Sequence, residues 1–417
     1  MSLIKKVFYK TLVLQFFVLW VLAVIIPKEQ YKTIFVSEIM VFFVVFVINI
    51  RKIRTLMFAS KQGYTIWCLF GCFFAIAALM IYVSYKNIPT YWNIWDLYYE
   101  RSYISRHFMV IAELFLSIGL GFSLMKTGLI YKINKKTLAI IAVLLGVIIL
   151  YNQNYVIFLG GLFVAVLSLL SFKLHNKLFL LLIPLVMVSH SAYIIASAFM
   201  LSLLFFRNSF KRFFSYHPTR RILLLLALSI FAIIIFRDDL YKLIRSDGNS
   251  YWRLLVWTNE IETLAKTYFT GVGFGTAYVT SNIDDIVNNF NMYIDSEGDM
   301  YERLFLVANH NSVLNMFYRL GLLGGSLFVA WNIMVCSFCL FSFKMKILGD
   351  NSYYCWWAFT NYIYNLVIIF LNPGMEMMQF AINYTFSLGV VFAVIFSSHL
   401  TLSREKNIKE GRAIASS

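Results

Sequence analysis

Charged side chains are scarce in this chain: Asp, Glu, Lys and Arg make up only 13% of its 417 residues, whereas hydrophobic types make up 60%. A soluble globular domain usually carries about a quarter charged residues. The mean hydropathy of +0.74 is accordingly too high for a water-soluble surface. These values exclude a soluble enzyme or binding module and predict that a lipid bilayer is the solvent for most of the chain.

Cysteine is also rare, and all five cysteines lie in or beside apolar blocks. None occurs within 237–311, so no disulfide can hold that long polar stretch together. Cys336 and Cys339 have the C-x-x-C spacing of redox sites, but a spanning helix lacks the exposure and the electropositive setting that a reactive thiol needs. We therefore interpret them as small apolar filler.

The sequence patterns of common catalytic and metal sites are missing as well. The chain has no HExxH motif, no Walker motif, no Ser-His-Asp order and no cysteine spacing typical of a metal site. We therefore expect neither a metal site nor a cofactor.

A series of apolar blocks, each roughly 15 to 20 residues long, dominates the chain. The candidate spans are 11–27, 33–50, 64–83, 108–126, 137–151, 155–172, 178–206, 221–236, 312–343, 354–371 and 378–398. We interpret 178–206 as two short helices that turn near Ser189-His190-Ser191, which makes about twelve spans. The predicted fold is an all-α, polytopic integral membrane protein with a single domain over residues 1–417.

The basic residues indicate how these spans are oriented. The formal net charge is +16, but Lys and Arg cluster in short turns between apolar blocks, which argues against nucleic-acid binding. The positive-inside rule places both termini in the cytoplasm and 237–311 outside. That stretch holds eleven of the chain's 20 acidic residues. We expect it to be one large extracytoplasmic loop containing short helices, and loops of this length are usually functional.

The middle of the loop, Ser250–Leu264, has the apolar periodicity of an amphipathic helix, with Ser250 as its N-cap. Arg253 would then lie in the first turn, where a cation opposes the helix dipole. Two hypotheses stay open for this residue. Arg253 binds a phosphate in bidentate fashion, or it forms an ion pair with Asp247 or Glu260.

The loop ends at Asn309-His310-Asn311-Ser312, directly before the next span. Asn or Ser would cap that helix, and its positive end favours a neutral imidazole at His310. A neutral histidine facing an outer-leaflet cavity is a competent general base, and a structural capping role is an equal alternative. Two glycine motifs flank this point. Gly271-Val-Gly-Phe-Gly275 is interpreted as a turn that allows close backbone approach, and Gly321-Leu-Leu-Gly-Gly325 as a helix-packing surface.

Taken in order, these pieces resemble the O-antigen ligase and polymerase family of membrane proteins. The resemblance rests on Trp252-Arg253 with Trp257, on Gly271-x-Gly-x-Gly275, on His310-Asn311-Ser312 and on Leu320-Gly-Leu-Leu-Gly324. It implies a metal-independent, inverting glycosyl transfer from a glycan on undecaprenyl diphosphate, at the outer face of the cytoplasmic (inner) membrane of a bacterium. Family arginines hold the diphosphate, and the loop histidine assists the acceptor hydroxyl. By position, Arg253 would be the diphosphate ligand and His310 the base.

Two positions depart from the family pattern. Where the family often has Ser-Arg-x-Ala, this chain has Ser189-His190-Ser191-Ala192, so a second phosphate-binding arginine is missing there. Where the family often has an acidic residue two before Gly-x-x-Gly, this chain has Arg319. The further candidates for substrate binding are Arg237, Arg245, His190, Asn311 and Arg303.

Because both departures weaken assignment to the ligase branch, we predict a polymerase. It would join undecaprenyl-diphosphate-linked repeat units of capsule, exopolysaccharide or O-antigen. The alternatives are an O-antigen ligase, a lipid-linked oligosaccharide flippase or transporter, and a non-catalytic assembly subunit. The expected partners are the lipid-linked glycan, membrane lipid, and assembly proteins such as a chain-length regulator and a flippase, but no nucleic acid.

Overall fold

The computed structural model describes residues 3–25, 28–84, 103–187, 191–214, 217–245, 248–273, 311–344, 352–372 and 378–415. Within these ranges every regular element is a helix and none is a strand. The predicted all-α fold class is therefore confirmed for the described part of the chain. The assignment of residues 1–417 to a single domain, with 237–311 as its large loop, stays a prediction.

The described helices are numbered here in chain order. In order they are α1 (Leu3–Ile25), α2 (Lys28–Met57), α3 (Lys61–Ser84), α4 (Tyr103–Thr127), α5 (Leu129–Lys132), α6 (Lys135–Tyr151), α7 (Val156–Leu174), α8 (Leu182–Val186), α9 (Ser191–Phe205), α10 (Arg207–Phe214), α11 (Pro218–Ile235), α12 (Arg237–Arg245), α13 (Gly248–Lys266), α14 (Ser312–Lys344), α15 (Ser352–Leu371) and α16 (Met378–Ala415). Two 3₁₀ helices, Gln153–Tyr155 and Lys177–Leu181, precede α7 and α8.

The predicted apolar blocks coincide with these helices, and the block 178–206 is divided between α8 and α9 as expected. Six helices in the described ranges are long and apolar enough to cross a membrane, and the bent pair α9–α10 would make a seventh. The six are Lys61–Val83, Gln153–Leu174, Pro218–Ile235, Ser312–Leu340, Tyr353–Leu371 and Ala381–Leu400. The count of about twelve spans and the side on which each terminus lies stay predictions.

Local sequence explains where several helices begin and end. The side chain of Asn134 accepts a hydrogen bond of 2.7 Å from the backbone N–H of Thr137 and so caps α6. α7 ends at His175, whose φ of 56° lies in the left-handed region. α11 begins with Pro218 in its first turn, where the missing N–H of proline costs no hydrogen bond.

α16 is the central helix of the bundle. Its apolar span Ala381–Leu400 is 94% buried inside the chain, where α16 packs against α4, α15 and α7. α11 is the opposite case, because none of its span is buried. An apolar helix with so much free surface is stable only against lipid. α11 therefore lies at the lipid-facing edge of the bundle and packs on α14.

Some polar side chains inside the bundle join neighbouring helices. The indole N–H of Trp357 on α15 donates to the carbonyl of Ala165 and to Oγ of Ser168 on α7, both at 3.0 Å. Cys336 and Cys339 are free thiols and are buried, as their interpretation as apolar filler predicts.

Candidate functional site

α13 carries the W-R-x-x-x-W motif and packs against α12 and α14. The helix begins at Gly248, so Ser250 lies inside it and the prediction of Ser250 as N-cap is wrong. Glycine also occurs at helix N-termini, so a start two residues earlier is compatible with the local sequence. Arg253 consequently lies in the second turn of the helix rather than in the first.

The motif docks α13 onto the C-terminal end of α15. Nη1 of Arg253 donates a hydrogen bond of 3.1 Å to the backbone carbonyl of Leu371, the last residue of α15. One turn further along α13, the ring of Trp257 packs on Phe370 with 6.4 Å between ring centroids. The last carbonyls of a helix carry partial negative charge, so the guanidinium stabilises this helix end.

The N-terminal end of α14 also lies at the C-terminal end of α15. Oδ1 of Asn311 accepts a hydrogen bond of 2.9 Å from the backbone N–H of Leu314, so Asn311 is the N-cap of α14, as predicted. Oγ of Ser312 donates to the backbone carbonyl of Asn372 at 3.4 Å. Arg253 and the start of α14 thus contact adjacent residues, Leu371 and Asn372, although they are far apart in the sequence.

A second contact joins the segment after α13 to the middle of α14. α14 is broken at Gly321, whose φ of 70° and ψ of −175° are not helical. Three backbone hydrogen bonds bridge this break. They run from Val272 N to Tyr318 O (2.9 Å), from Gly273 N to Arg319 O (3.1 Å) and from Leu322 N to Phe269 O (2.9 Å). We call this contact between residues 269–273 and 318–322 the glycine clasp.

The two glycines at the centre of the clasp leave no room for a side chain. A Cβ on Gly271 would lie 2.4 Å from the backbone nitrogen of Gly321, and a Cβ on Gly321 would lie 2.4 Å from the carbonyl oxygen of Thr270. The predicted close backbone approach of the first glycine motif is confirmed. The second motif does more than pack helices. Gly321 breaks α14 at the position where the backbone of residues 269–273 forms hydrogen bonds with it.

Residues 177–329 match a family model described as O-Antigen ligase. This segment is therefore similar to O-antigen ligase-like proteins, and we call it the ligase-like segment. Both sides of the clasp, and the whole of α13, lie within the ligase-like segment, whereas α15 lies beyond its end. The comparison with curated proteins gives no match for this chain.

Arg319 is the residue of the ligase-like segment whose role the sequence alone does not indicate. Its side chain is fully buried. Nη1 donates a hydrogen bond of 3.2 Å to the carbonyl of Gly273, and the guanidinium lies 5.0 Å from the ring centroid of Tyr318. The only signal in the sequence is the position of Arg319, two residues before Gly321. The hydrogen bond to Gly273 shows that this side chain stabilises the clasp.

The remaining predicted site residues are distributed over two groups. Arg237 and Arg245 lie on α12, which packs on α13. Arg237 is 79% exposed and forms an ion pair of 3.1 Å with Asp238. Arg245 is exposed and lies 6.0 Å from the ring centroid of Tyr251 on α13. His310, His190 and Arg303 lie outside the described residues, so their predicted roles stay predictions.

A metal site is a separate question, because several acidic residues lie in the predicted loop. In the part of the chain that the structure describes, no three His, Cys, Asp or Glu side chains lie close enough together to hold a metal ion. The side chains at the C-terminal end of α15 are instead the guanidinium of Arg253, the indole of Trp257, the amide of Asn372 and the hydroxyl of Ser312. These groups bind oxyanions and hydroxyls through N–H and O–H donation.

Proposed function

We propose that the protein polymerises oligosaccharide repeat units linked to undecaprenyl diphosphate, by inverting glycosyl transfer at the outer face of the cytoplasmic membrane. The observation that carries this proposal is a pair of neighbouring hydrogen bonds at the end of α15. Arg253 donates to the carbonyl of Leu371, and Ser312, at the N-terminal end of α14, donates to the carbonyl of Asn372. It places a guanidinium, suited to a diphosphate, near the helix that His310 precedes by two residues in the sequence. The ligase-like family of residues 177–329 supports the same substrate class.

The transfer makes one bond and breaks one. A hydroxyl oxygen of the acceptor glycan attacks the anomeric carbon of the donor, and the bond from that carbon to the diphosphate oxygen breaks. Undecaprenyl diphosphate leaves with the electron pair, and the hydroxyl proton passes to the imidazole of His310. Arg253 stabilises the negative charge that develops on the leaving diphosphate. Because attack comes from the face opposite the leaving group, the configuration inverts.

The sequence favours a polymerase over a ligase at two positions. His190 stands where the family often has an arginine, and Arg319 stands where it often has an acidic residue. Arg319 is buried in the clasp, so the side chain at this second position stabilises the contact with the backbone of Gly273. The description of the matched family supports an O-antigen ligase as the second candidate. A chain-length regulator and a flippase are the proposed protein partners of the polymerase.

Chromosomal Arg253→Ala, Arg253→Lys and His310→Ala variants test the proposal through the length distribution of the surface glycan. Loss of a general base lowers the rate by about 100-fold or more, so we expect long polymer to vanish and single repeats to accumulate. Arg253→Lys should fail as well, because an ammonium group cannot bind two phosphate oxygens with a planar fork. Lys242→Ala, at an exposed cation on α12, is the matched control and should make normal polymer.

The accumulated product separates the candidates. A defective ligase would leave long chains on the lipid carrier, and a defective flippase would trap single repeats on the cytoplasmic face. Polymer of normal length from both Arg253→Ala and His310→Ala, with wild-type protein levels in the membrane, would refute catalysis by these residues.

A further inference from the structure

Two buried N–H donors lie at the junction of α13 and α15 and have no acceptor among the described residues. The indole Nε1 of Trp257 and the side-chain amide Nδ2 of Asn372 are both shielded from solvent and make no hydrogen bond with any described residue. Asn372 is only 7% exposed. Buried donors in proteins are nearly always paired, so each such donor calls for an explanation.

Both donors lie beside the contact that Arg253 makes with the end of α15. Trp257 follows Arg253 by four residues on α13, which places the two side chains on the same face of the helix. The ring of Trp257 packs on Phe370, while Arg253 donates to Leu371 and Asn372 is the next residue. Donors from two helices are thus gathered at one helix end, where the guanidinium already lies.

The geometry points to Trp257 and Asn372 as ligands that, together with Arg253, donate hydrogen bonds to the phosphate oxygens of a polyprenyl diphosphate. The oxygens of a diphosphate are hydrogen-bond acceptors only. The guanidinium of Arg253 and the indole of Trp257 are donors only, and Nδ2 of Asn372 is a donor, so these groups complement a diphosphate. This inference rests on the proposed function, because it names further residues that hold its lipid-linked donor. Asn372 lies outside the ligase-like segment 177–329.

The alternative for a buried indole is a purely structural role, and the two roles differ in what substitution does to the free protein. Removing a donor that has no partner does not weaken the fold and can strengthen it. Trp257→Phe keeps an aromatic ring against Phe370 and removes only the N–H and one ring. A ligand role therefore predicts weaker binding, with no larger loss of thermal stability than truncation of the ring itself causes.

Trp331 provides the matched control within the same chain. Its indole Nε1 is also buried and has no hydrogen-bond partner among the described residues. It lies in the apolar core of α14, where its ring packs against Phe70 and Phe392. Trp331→Phe removes the same chemical group at a position remote from Arg253.

The experiment is a calorimetric titration of the purified full-length chain in lipid nanodiscs. Farnesyl diphosphate is the probe, with farnesol and inorganic diphosphate as comparison ligands, and the melting temperature of each free variant is recorded. We expect Trp257→Phe and Asn372→Asp each to raise the Kd for farnesyl diphosphate by about ten- to a hundredfold, as for a hydrogen bond to a charged group. The Kd for farnesol should stay at the wild-type value, the melting temperature of Trp257→Phe should fall no further than that of Trp331→Phe, and Trp331→Phe should bind as wild type.

The outcomes separate this inference from the function on which it rests. Wild-type affinity in Trp257→Phe, with affinity lost in Arg253→Ala, would overturn the inference and leave the proposed function standing. Wild-type affinity in Arg253→Ala as well would remove the diphosphate site itself. Equal binding of inorganic and farnesyl diphosphate would overturn the assignment to a lipid-linked ligand. If Asn372→Asp does not fold, Trp257→Phe alone decides.

Discussion

Gly321→Ala tests whether the glycine clasp holds α13 on α14. Gly321 has backbone angles that are essentially restricted to glycine, and a residue with a side chain there costs about 1 to 3 kcal/mol. The new Cβ would also lie 2.4 Å from the carbonyl oxygen of Thr270, so the segment after α13 must move away. That movement breaks the three backbone hydrogen bonds of the clasp, each contributing about 1 kcal/mol.

Gly128→Ala is the matched control for this substitution. Gly128 also has a positive φ, of 61°, but the nearest atom to its Cβ would be Cε of Lys132, at 3.7 Å. Its cost is therefore the left-handed backbone alone, about 1 to 2 kcal/mol. Gly321→Ala should consequently lose about 3 kcal/mol more than Gly128→Ala, which corresponds to the three clasp hydrogen bonds.

Thermal or denaturant unfolding of the purified variants in detergent measures this difference. Because α13 carries Arg253, Gly321→Ala should also shorten the surface glycan, whereas Gly128→Ala should not. A displacement of about 1 Å in a catalytic group can lower a rate about 100-fold. Equal destabilisation by the two substitutions would show that the clasp does not stabilise the docking of α13, and the reasoning would then be refuted.

Two further substitutions test single hydrogen bonds, and both are measured as changes in melting temperature. Asn311→Ala should cost about 1 kcal/mol, because it removes the N-cap of α14, whereas Asn311→Ser should recover most of that loss; equal stability of Asn311→Ala and wild type would contradict the cap. Trp357→Phe removes an indole N–H that donates to Ala165 and Ser168, so it should lose about 1 kcal/mol more than Trp331→Phe, whose indole N–H has no such partner among the described residues. A larger loss from Trp331→Phe would overturn that assignment.

Prediction from the sequence succeeded where the physical cause is local. The apolar blocks coincide with helices because a chain crossing hydrocarbon must pair its backbone groups within itself. Asn311 caps α14 because the capping hydrogen bond spans only three residues. Ser250 failed as an N-cap even though it has a suitable side chain, because Gly248, two residues earlier, starts the helix and α13 is held in place by its packing on α12 and α14.

The candidate site required the tertiary structure. Arg253 and its acceptor on Leu371 are separated by 118 positions, so no local periodicity can pair them. The hypothesis that Arg253 binds a phosphate stays a prediction, and it did not include the helix end that the guanidinium contacts. Arg319 departs from the family pattern in the sequence, and only its hydrogen bond to Gly273 shows that its side chain stabilises the clasp.

By itself, the sequence determined that the chain is helical and membrane-embedded, and it identified two glycine motifs on either side of a capping asparagine at the end of a polar stretch. These features follow from hydrophobicity and from hydrogen bonds between near neighbours. The tertiary structure decided that the two glycine motifs contact each other and that α13, α14 and α15 meet at Leu371 and Asn372. Such meetings depend on how whole helices pack, and helix packing is set by surfaces whose residues are distant in the chain.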